Sequence, residues 1–395
     1  MSLKKLIKKN SKTQSSSKPK FIPVCEPLFL GNESAYVRDA VDSGWISSSG
    51  KYLKEFEEKF SAYCGVSHGI ATTSGTTALH LALKAIDIQP GDEVIIPDFT
   101  MAAVLFSVLY CGAKPVFIDA EADTWNMDAS KIASKITPKT KAIISVHTYG
   151  HPCDMGAILS VAKKHGLKVI EDAAEAHGAS YKDKRCGSMG DLACFSFYAN
   201  KIITSGEGGM VVTSDAQLAD RCRYYKNLCF PLKGPSNYQH EDIGFNYRMT
   251  NIQAAMGLAQ LEHIEEFVER RRENARRYTE QLSRIPGIQC PIEKSYAKNV
   301  YWMYGIVIDP KTAGMDRDTL CQKLAEAGVD TRSFFQPMHD QKPVQKQWPS
   351  VAKERYPVSE NLAKNGFYLP SGSGLKESEL RRVCQAIEEI FAAST

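Results

Sequence analysis

No run of 18 apolar residues occurs in these 395 residues, which excludes a membrane-spanning helix on the sequence alone. The eleven cysteines (25, 64, 111, 153, 186, 194, 222, 229, 290, 321, 384) contain no CxxC pair, no regular spacing and an odd member. Neither a disulfide framework nor a zinc knuckle fits that distribution, and reduced thiols in a cytoplasm are expected. A GxxxxGK[ST] phosphate loop is also missing. Gly206, Gly208 and Gly209, beside Glu207, follow a lysine rather than a strand and lead into no helix, so they read as a turn and not a dinucleotide loop. His147 and His151 stand four apart after a strand pattern rather than on a helix, so solvated or capping histidines are expected and no metal centre. Acidic residues are absent from the first twenty positions, which hold seven lysines (4, 5, 8, 9, 12, 18, 20). Subtracting those seven from the net +4 leaves −3 for the remainder. This Lys/Ser-rich segment has no apolar stretch of signal-peptide length, and residues 1–20 are expected to form a disordered basic tail. The rest of the chain lacks the basic stripe that a nucleic-acid or membrane-surface partner would require.

What is present, between about residues 66 and 215, is an alternation of short β-branched runs with helix-length segments. IAT (70–72), EVIIP (93–97), KPVFID (114–119), KAIISVH (141–147), LKVIED (167–172), LACFSF (192–197) and GMVVTS (209–214) read as strands. TALHLALKAI (77–86), MAAVLFSVLYC (101–111), ASKIASKI (129–136) and MGAILSVAKKHG (155–166) read as helices, the last closed by glycine. Such alternation implies the α/β class, with a mostly parallel central sheet covered on both faces and polar chemistry at the carboxyl ends of its strands. Residues 21–250 are expected to form this large domain. Residues 251–285 form a connecting helix whose charge cluster at 269–273 reads as a solvated face, and residues 286–395 a smaller α/β C-terminal domain.

Two residues bring chemistry to this frame. Asp172 closes the apolar run LKVIED, and Lys201 follows 29 positions later in CFSFYANKIITSGEGGMVVT. An enclosed lysine and a strand-end carboxylate suggest an amine nucleophile and an acid partner for a cationic ring. Pyridoxal 5'-phosphate needs both: an amine to hold its aldehyde as a Schiff base, and a carboxylate to keep its pyridine nitrogen protonated. Ser74-Gly75-Thr76, just before a helix, offers amides and hydroxyls to an anion at the positive helix end.

GWISSSG (44–50), SGTTALHLAL (74–83), GDEVIIP (91–97), GAKPVFIDAEADTW (112–125), VIEDAAEAHGA (169–179), FSFYANK (195–201), SGEGGMVVT (205–213) and NYRMTNIQAAMGLAQLE (246–262) together resemble the DegT/StrS family of pyridoxal-phosphate-dependent sugar aminotransferases. Ala199-Asn200 before the lysine, in place of the usual Pro-Thr, is similar to the perosamine-synthase branch, as are NYRMTNI and TRSFFQPMH (331–339). The resemblance implies the type I aminotransferase fold and a homodimer with shared active sites. It also implies Lys201 and Asp172 as catalytic residues, and Ser74, Gly75, Thr76, Ser196 and Asn246 as phosphate contacts, Asn246 reaching across the dimer. Glu175 would stand beside the cofactor's ring oxygen, where it would share a proton, and Met101 would replace the ring-stacking aromatic of most members. Arg248, Arg332 and His339 are candidate contacts for donor carboxylate or sugar. The implied reaction moves an amino group from an amino acid, glutamate by analogy, to a nucleotide-linked 4-keto-6-deoxyhexose for surface polysaccharide. Two alternatives stand beside it: a free keto sugar acid such as 8-keto-3,8-dideoxy-octulosonate for lipopolysaccharide, or a non-catalytic regulator on the same scaffold.

Overall fold

A computed structural model describes residues 20–233 and 238–393. The lysine-rich tail, apart from Lys20, lies outside the described residues. Seven strands form the main sheet: β1 (His68–Thr72), β2 (Glu93–Pro97), β3 (Lys114–Ile118), β4 (Thr140–Val146), β5 (Lys168–Asp172), β6 (Leu192–Ser196) and β7 (Gly209–Thr213), in the order β1-β7-β6-β5-β4-β2-β3. The five strands from β6 to β3 run parallel, while β7 is antiparallel to both of its neighbours. Strands buried on both faces require continuous apolar runs, and β2, β6 and β7 are buried at every position. The carboxyl ends of the parallel strands share one edge, and Asp172 at the end of β5 pairs in register with Cys194, two residues before Ser196 at the end of β6.

Capping sets the flanking helices. α1 (Glu33–Asp42) and α2 (Lys51–Cys64) precede the sheet. Ser74 caps α3 (Gly75–Ala85) in a reciprocal box with Thr77, and Met101 sits at the N-cap of α4 (Ala102–Tyr110). α5 (Met155–His165) is capped by Asp154 and ends on Gly166 at φ 66°, and α6 (Ala216–Lys226), capped by Asp215, follows β7. Residues 129–136, read as a helix, form only two 3₁₀ turns, Ala129–Lys131 and Ala133–Lys135. Pro138 disfavours helical backbone at Thr137, and the chain is already extended at Ile136.

The single helix expected over 251–285 is two helices, α7 (Asn251–Leu261) and α8 (Ile264–Leu282), broken at Glu262–His263. α7 packs on α1 and α2, with Gly257 against the Phe56 ring. α8 buries Ile264, Phe267 and Val268 in the same core, then Ala275, Tyr278 and Leu282 in the C-terminal one. The C-terminal core backs an antiparallel sheet of β8 (Ile288–Gln289), β9 (Tyr304–Ile308), β10 (Arg332–Ser333) and β11 (Gly366–Leu369), in the order β8-β9-β11-β10. Ile22 is bridged to Val329 and buried in this core, so the stretch after the tail packs with the C-terminal sheet rather than with the large one.

Candidate active site

Three ionisable side chains converge beyond β5. Asp172 is nearly buried and accepts the Ala174 amide at 3.0 Å. Burial raises its pKa, while the Ala174 N–H, Lys201 and His147 pull the other way. Glu175 is buried too and accepts the Tyr149 amide at 2.7 Å. Burial lifts its carboxyl to about 7; the charge of Lys201 and the Tyr149 N–H resist the rise, and Asp172 adds to it. Lys201, half-buried, follows β6 on the loop Tyr198–Ser205, with its Nζ 3.6 Å from the centroid of the Trp302 ring. Burial lowers its pKa; Glu175 and Asp172 oppose that, and Arg271 reinforces it. Lysine and two carboxylates are thus held in one electrostatic unit, whose net proton count changes near neutrality.

Beside them lies a set of hydrogen-bond donors. Ser74 serves as the N-cap of α3, its Oγ accepting the Thr77 amide at 3.2 Å, while the Gly75 and Thr76 amides have no acceptor among the described residues. A Cβ on Gly75 would fall 2.8 Å from the Cβ of Ser196, so glycine alone lets the helix start sit against the end of β6. Ser196 Oγ accepts only a long bond from the Tyr198 amide, 3.4 Å, and keeps its own proton to donate. Two unpartnered amides at the positive end of an 11-residue helix plus a hydroxyl, with no carboxylate hydrogen-bonded to them, suit a phosphate. The residues present therefore fit pyridoxal phosphate: an anion cradle, an enclosed amine and a carboxylate for a cationic ring. Gly206 and Gly208 take φ 83° and 158°, the turn read from the sequence, and lead directly into β7.

The remaining expected residues are held by other partners. Asn246 is exposed and bridged through its backbone to Asn227, and no hydrogen bond joins it to Lys201, Asp172 or Ser196. Arg248 donates to Asn227 Oδ1 at 2.9 Å. Arg332 is exposed and bound to Asp330 and the Thr331 carbonyl. Met101 is 53% exposed at the start of α4. His339 is buried, its Nδ1 2.8 Å from an oxygen of Asp98, which also accepts the His339 amide at 2.8 Å. Burial works against its charge, yet the Asp98 carboxylate outweighs it and raises the imidazole's pKa. His339 thus clamps the C-terminal part to the loop after β2.

Four residues around the amine escaped sequence reasoning. Trp302 supplies the ring under Lys201 and donates its Nε1–H to the Asn200 carbonyl at 2.8 Å. Tyr149, left-handed at φ 51°, is buried and aims its amide at Glu175. Asn200 is held immediately before the lysine. Arg271 corrects the reading of 269–273 as a solvated face: it is 2% exposed, because α8 passes between two cores at that turn. Its neighbours Arg270 and Arg272 do pair at the surface, with Glu266 and Glu293. The two histidines are also buried rather than solvated. His147 Nδ1 accepts the Cys153 amide, so its Nε2 donates to Glu171 at 3.1 Å, and His151 binds the Pro152 carbonyl and the Lys294 amide. His147, Glu171 and Cys186 lie close enough to suggest a metal, but Glu171 also accepts the amides of Gly187, Met189 and Gly190, and the His147 lone pair is engaged.

The model of the DegT/DnrJ/EryC1/StrS aminotransferase family matches residues 30–388. The chain belongs to this family. It is 44% identical over 371 residues to the GDP-perosamine synthase of Caulobacter vibrioides, covering 94% of this chain and 98% of that protein, and 43% identical to the one of Escherichia coli O157:H7, covering 94% and 99%. Among solved structures, that of DesI in the presence of its TDP-sugar product superposes with a TM-score of 0.85 at 34% identity, covering 96% and 93% of the two chains. The protein is accordingly a sugar aminotransferase, which sets aside the non-catalytic regulator. Among the described residues no helix is long and apolar enough to cross a membrane.

Proposed function

We propose that this aminotransferase uses pyridoxal phosphate to move an amino group from an amino acid, glutamate in the first instance, to a nucleotide-linked 4-keto-6-deoxyhexose of the kind its perosamine-synthase relatives are named for. The observation that carries the reading is the Lys201 amine, enclosed against Trp302 and flanked by the buried acids Asp172 and Glu175. When bound, the cofactor supplies an aldehyde for amine capture and a ring that absorbs an electron pair. Gly75, Thr76 and Ser196 would hold its phosphate, and Asp172 would face the ring nitrogen as an anion. Burial favours the neutral form of Lys201, so its Nζ is free to take a proton from the donor's Cα and return it on the other side of the transfer. Glu175 holds or releases a proton near neutrality, which lets it meet a phenolic oxygen without a second full negative charge. Trp302 shields one side of the amine from water.

The apolar side chains left exposed at Trp45, Ile46 and Met101, together with exposed Asn246, support a homodimer in which Asn246 serves the partner's phosphate site. Eleven unpaired cysteines support a cytoplasmic setting. Borohydride reduction of the holoprotein followed by peptide mapping should find the pyridoxyl label on Lys201, and Lys201→Ala should lose both label and turnover; a label elsewhere would overturn the assignment. Incubation with glutamate and a panel of keto sugars should favour GDP-4-keto-6-deoxymannose, and turnover confined to 8-keto-3,8-dideoxy-octulosonate would sink the substrate reading.

A further inference from the structure

Arg271 is a buried cation whose hydrogen-bond partners are all neutral. Its Nε donates to Ser373 Oγ at 3.0 Å, its Nη1 to the carbonyls of Trp302 at 2.5 Å and Ser371 at 3.4 Å, and its Nη2 lies 3.6 Å from Cys25 Sγ. Among the described residues no carboxylate lies within ion-pair distance of it, unlike its neighbours Arg270 and Arg272, although a buried guanidinium is ordinarily matched by one. Two of its partners go on to the same atom. Trp302 Nε1–H donates to the Asn200 carbonyl at 2.8 Å, and Cys25 Sγ reaches that carbonyl at 3.7 Å. Asn200 directly precedes Lys201, and the Trp302 ring is the surface on which the Lys201 amine rests.

We infer that Arg271 is a positioning residue of the transamination site, fixing the Trp302–Asn200–Lys201 unit through a shell of uncharged hydrogen-bond partners. The inference rests on the assignment of Lys201 as the reacting amine. The arrangement has a chemical reason: a carboxylate beside Arg271 would cancel its field and add a further anion to a site that already holds Asp172 and Glu175. With uncharged partners only, the guanidinium's charge stays available to oppose protonation of Lys201, adding to the larger effect of burial. The ionisable groups bearing on Lys201 are Glu175 and Asp172, which favour its protonation, Arg271, which opposes it, and Cys25; His177, buried beside the site, is held neutral chiefly by burial.

The test uses full-length cofactor-free protein, so it reports on the amine whether or not pyridoxal phosphate proves to be the cofactor. The rate of Lys201 acetylation by an N-hydroxysuccinimide ester is followed against pH by peptide mass mapping, with circular dichroism as a check on folding. Arg271→Met should move the labelling midpoint to higher pH, whereas Arg271→Lys, which keeps a charge but loses the planar fork, should leave the midpoint near that of the parent and bind pyridoxal phosphate more weakly. A folded Arg271→Met protein with the parent's midpoint would overturn the inference. Should Arg271→Met fail to fold, Trp302→Phe keeps an aromatic face, smaller than the indole, and removes the N–H that bonds to Asn200; a weakened grip on pyridoxal phosphate supports the relay, and parent-like affinity refutes it. Failure of the cofactor reading would show instead as absence of any borohydride-fixed label in the parent protein.

Discussion

Replacing Glu175 by Gln keeps the shape of the side chain and removes its titration. In the folded protein this buried carboxyl sits at about 7 against an ordinary 4.5, so between those values the folded state holds a proton that the unfolded chain has released. Stability contributed by the group is therefore complete below 4.5 and is lost as the pH climbs through 7. The gap, at ~1.36 kcal/mol per pH unit, makes the loss about 3 kcal/mol. Removing the Glu175 anion also takes away a group that favours protonated Lys201, which tilts the pH profile in the same direction. Urea unfolding of cofactor-free parent and Glu175→Gln protein at about pH 5 and about pH 8 should then show the parent losing about 3 kcal/mol more than the variant over that interval. Parallel profiles would mean that Glu175 does not titrate there, and its assignment as a proton-sharing partner would fall.

Other outcomes follow from the same geometry. Gly75→Ala drives a methyl to 2.8 Å from Ser196 Cβ and should weaken pyridoxal phosphate binding in a fluorescence titration while leaving binding of unphosphorylated pyridoxal nearly unchanged; equal losses for both would remove the cradle from phosphate binding. Asp98→Asn breaks the buried pair with His339 and should destabilise the fold by roughly 3–5 kcal/mol in chemical denaturation. Trp302→Ala removes a nearly buried ring and should cost about 3–5 kcal/mol of stability and lower turnover as well. A change in stability with turnover intact would make Trp302 a packing residue only. Asp172→Asn should leave cofactor binding measurable and slow the proton transfer seen in single-turnover absorbance; an undiminished rate would take Asp172 out of the mechanism.

The large sheet was legible because its signal is local. A strand buried on both faces must be an apolar run, and all seven such runs became strands with ends within about two residues of those expected. Asp172 and Ser74 to Thr76 stand out for a related reason, because strand ends and helix starts are marked in the sequence, whereas Ser196 entered only through the family resemblance. Other features depend on where a residue finds itself between elements distant in the chain. Arg271 and Arg272 are adjacent in one charged stretch, yet one is enclosed between two cores and the other pairs with Glu293 at the surface. Trp302 reads as strand sequence, but it is the docking of the C-terminal part that slides its ring beneath an amine about a hundred residues earlier in the chain. His339 looks like a ligand contact until Asp98, from the loop after β2, closes on it. Local pattern thus determined the elements and singled out Asp172 and Lys201 as candidates, whereas tertiary packing decided which charges are buried and which way their protonation is pushed, because desolvation acts only on groups that distant segments have enclosed.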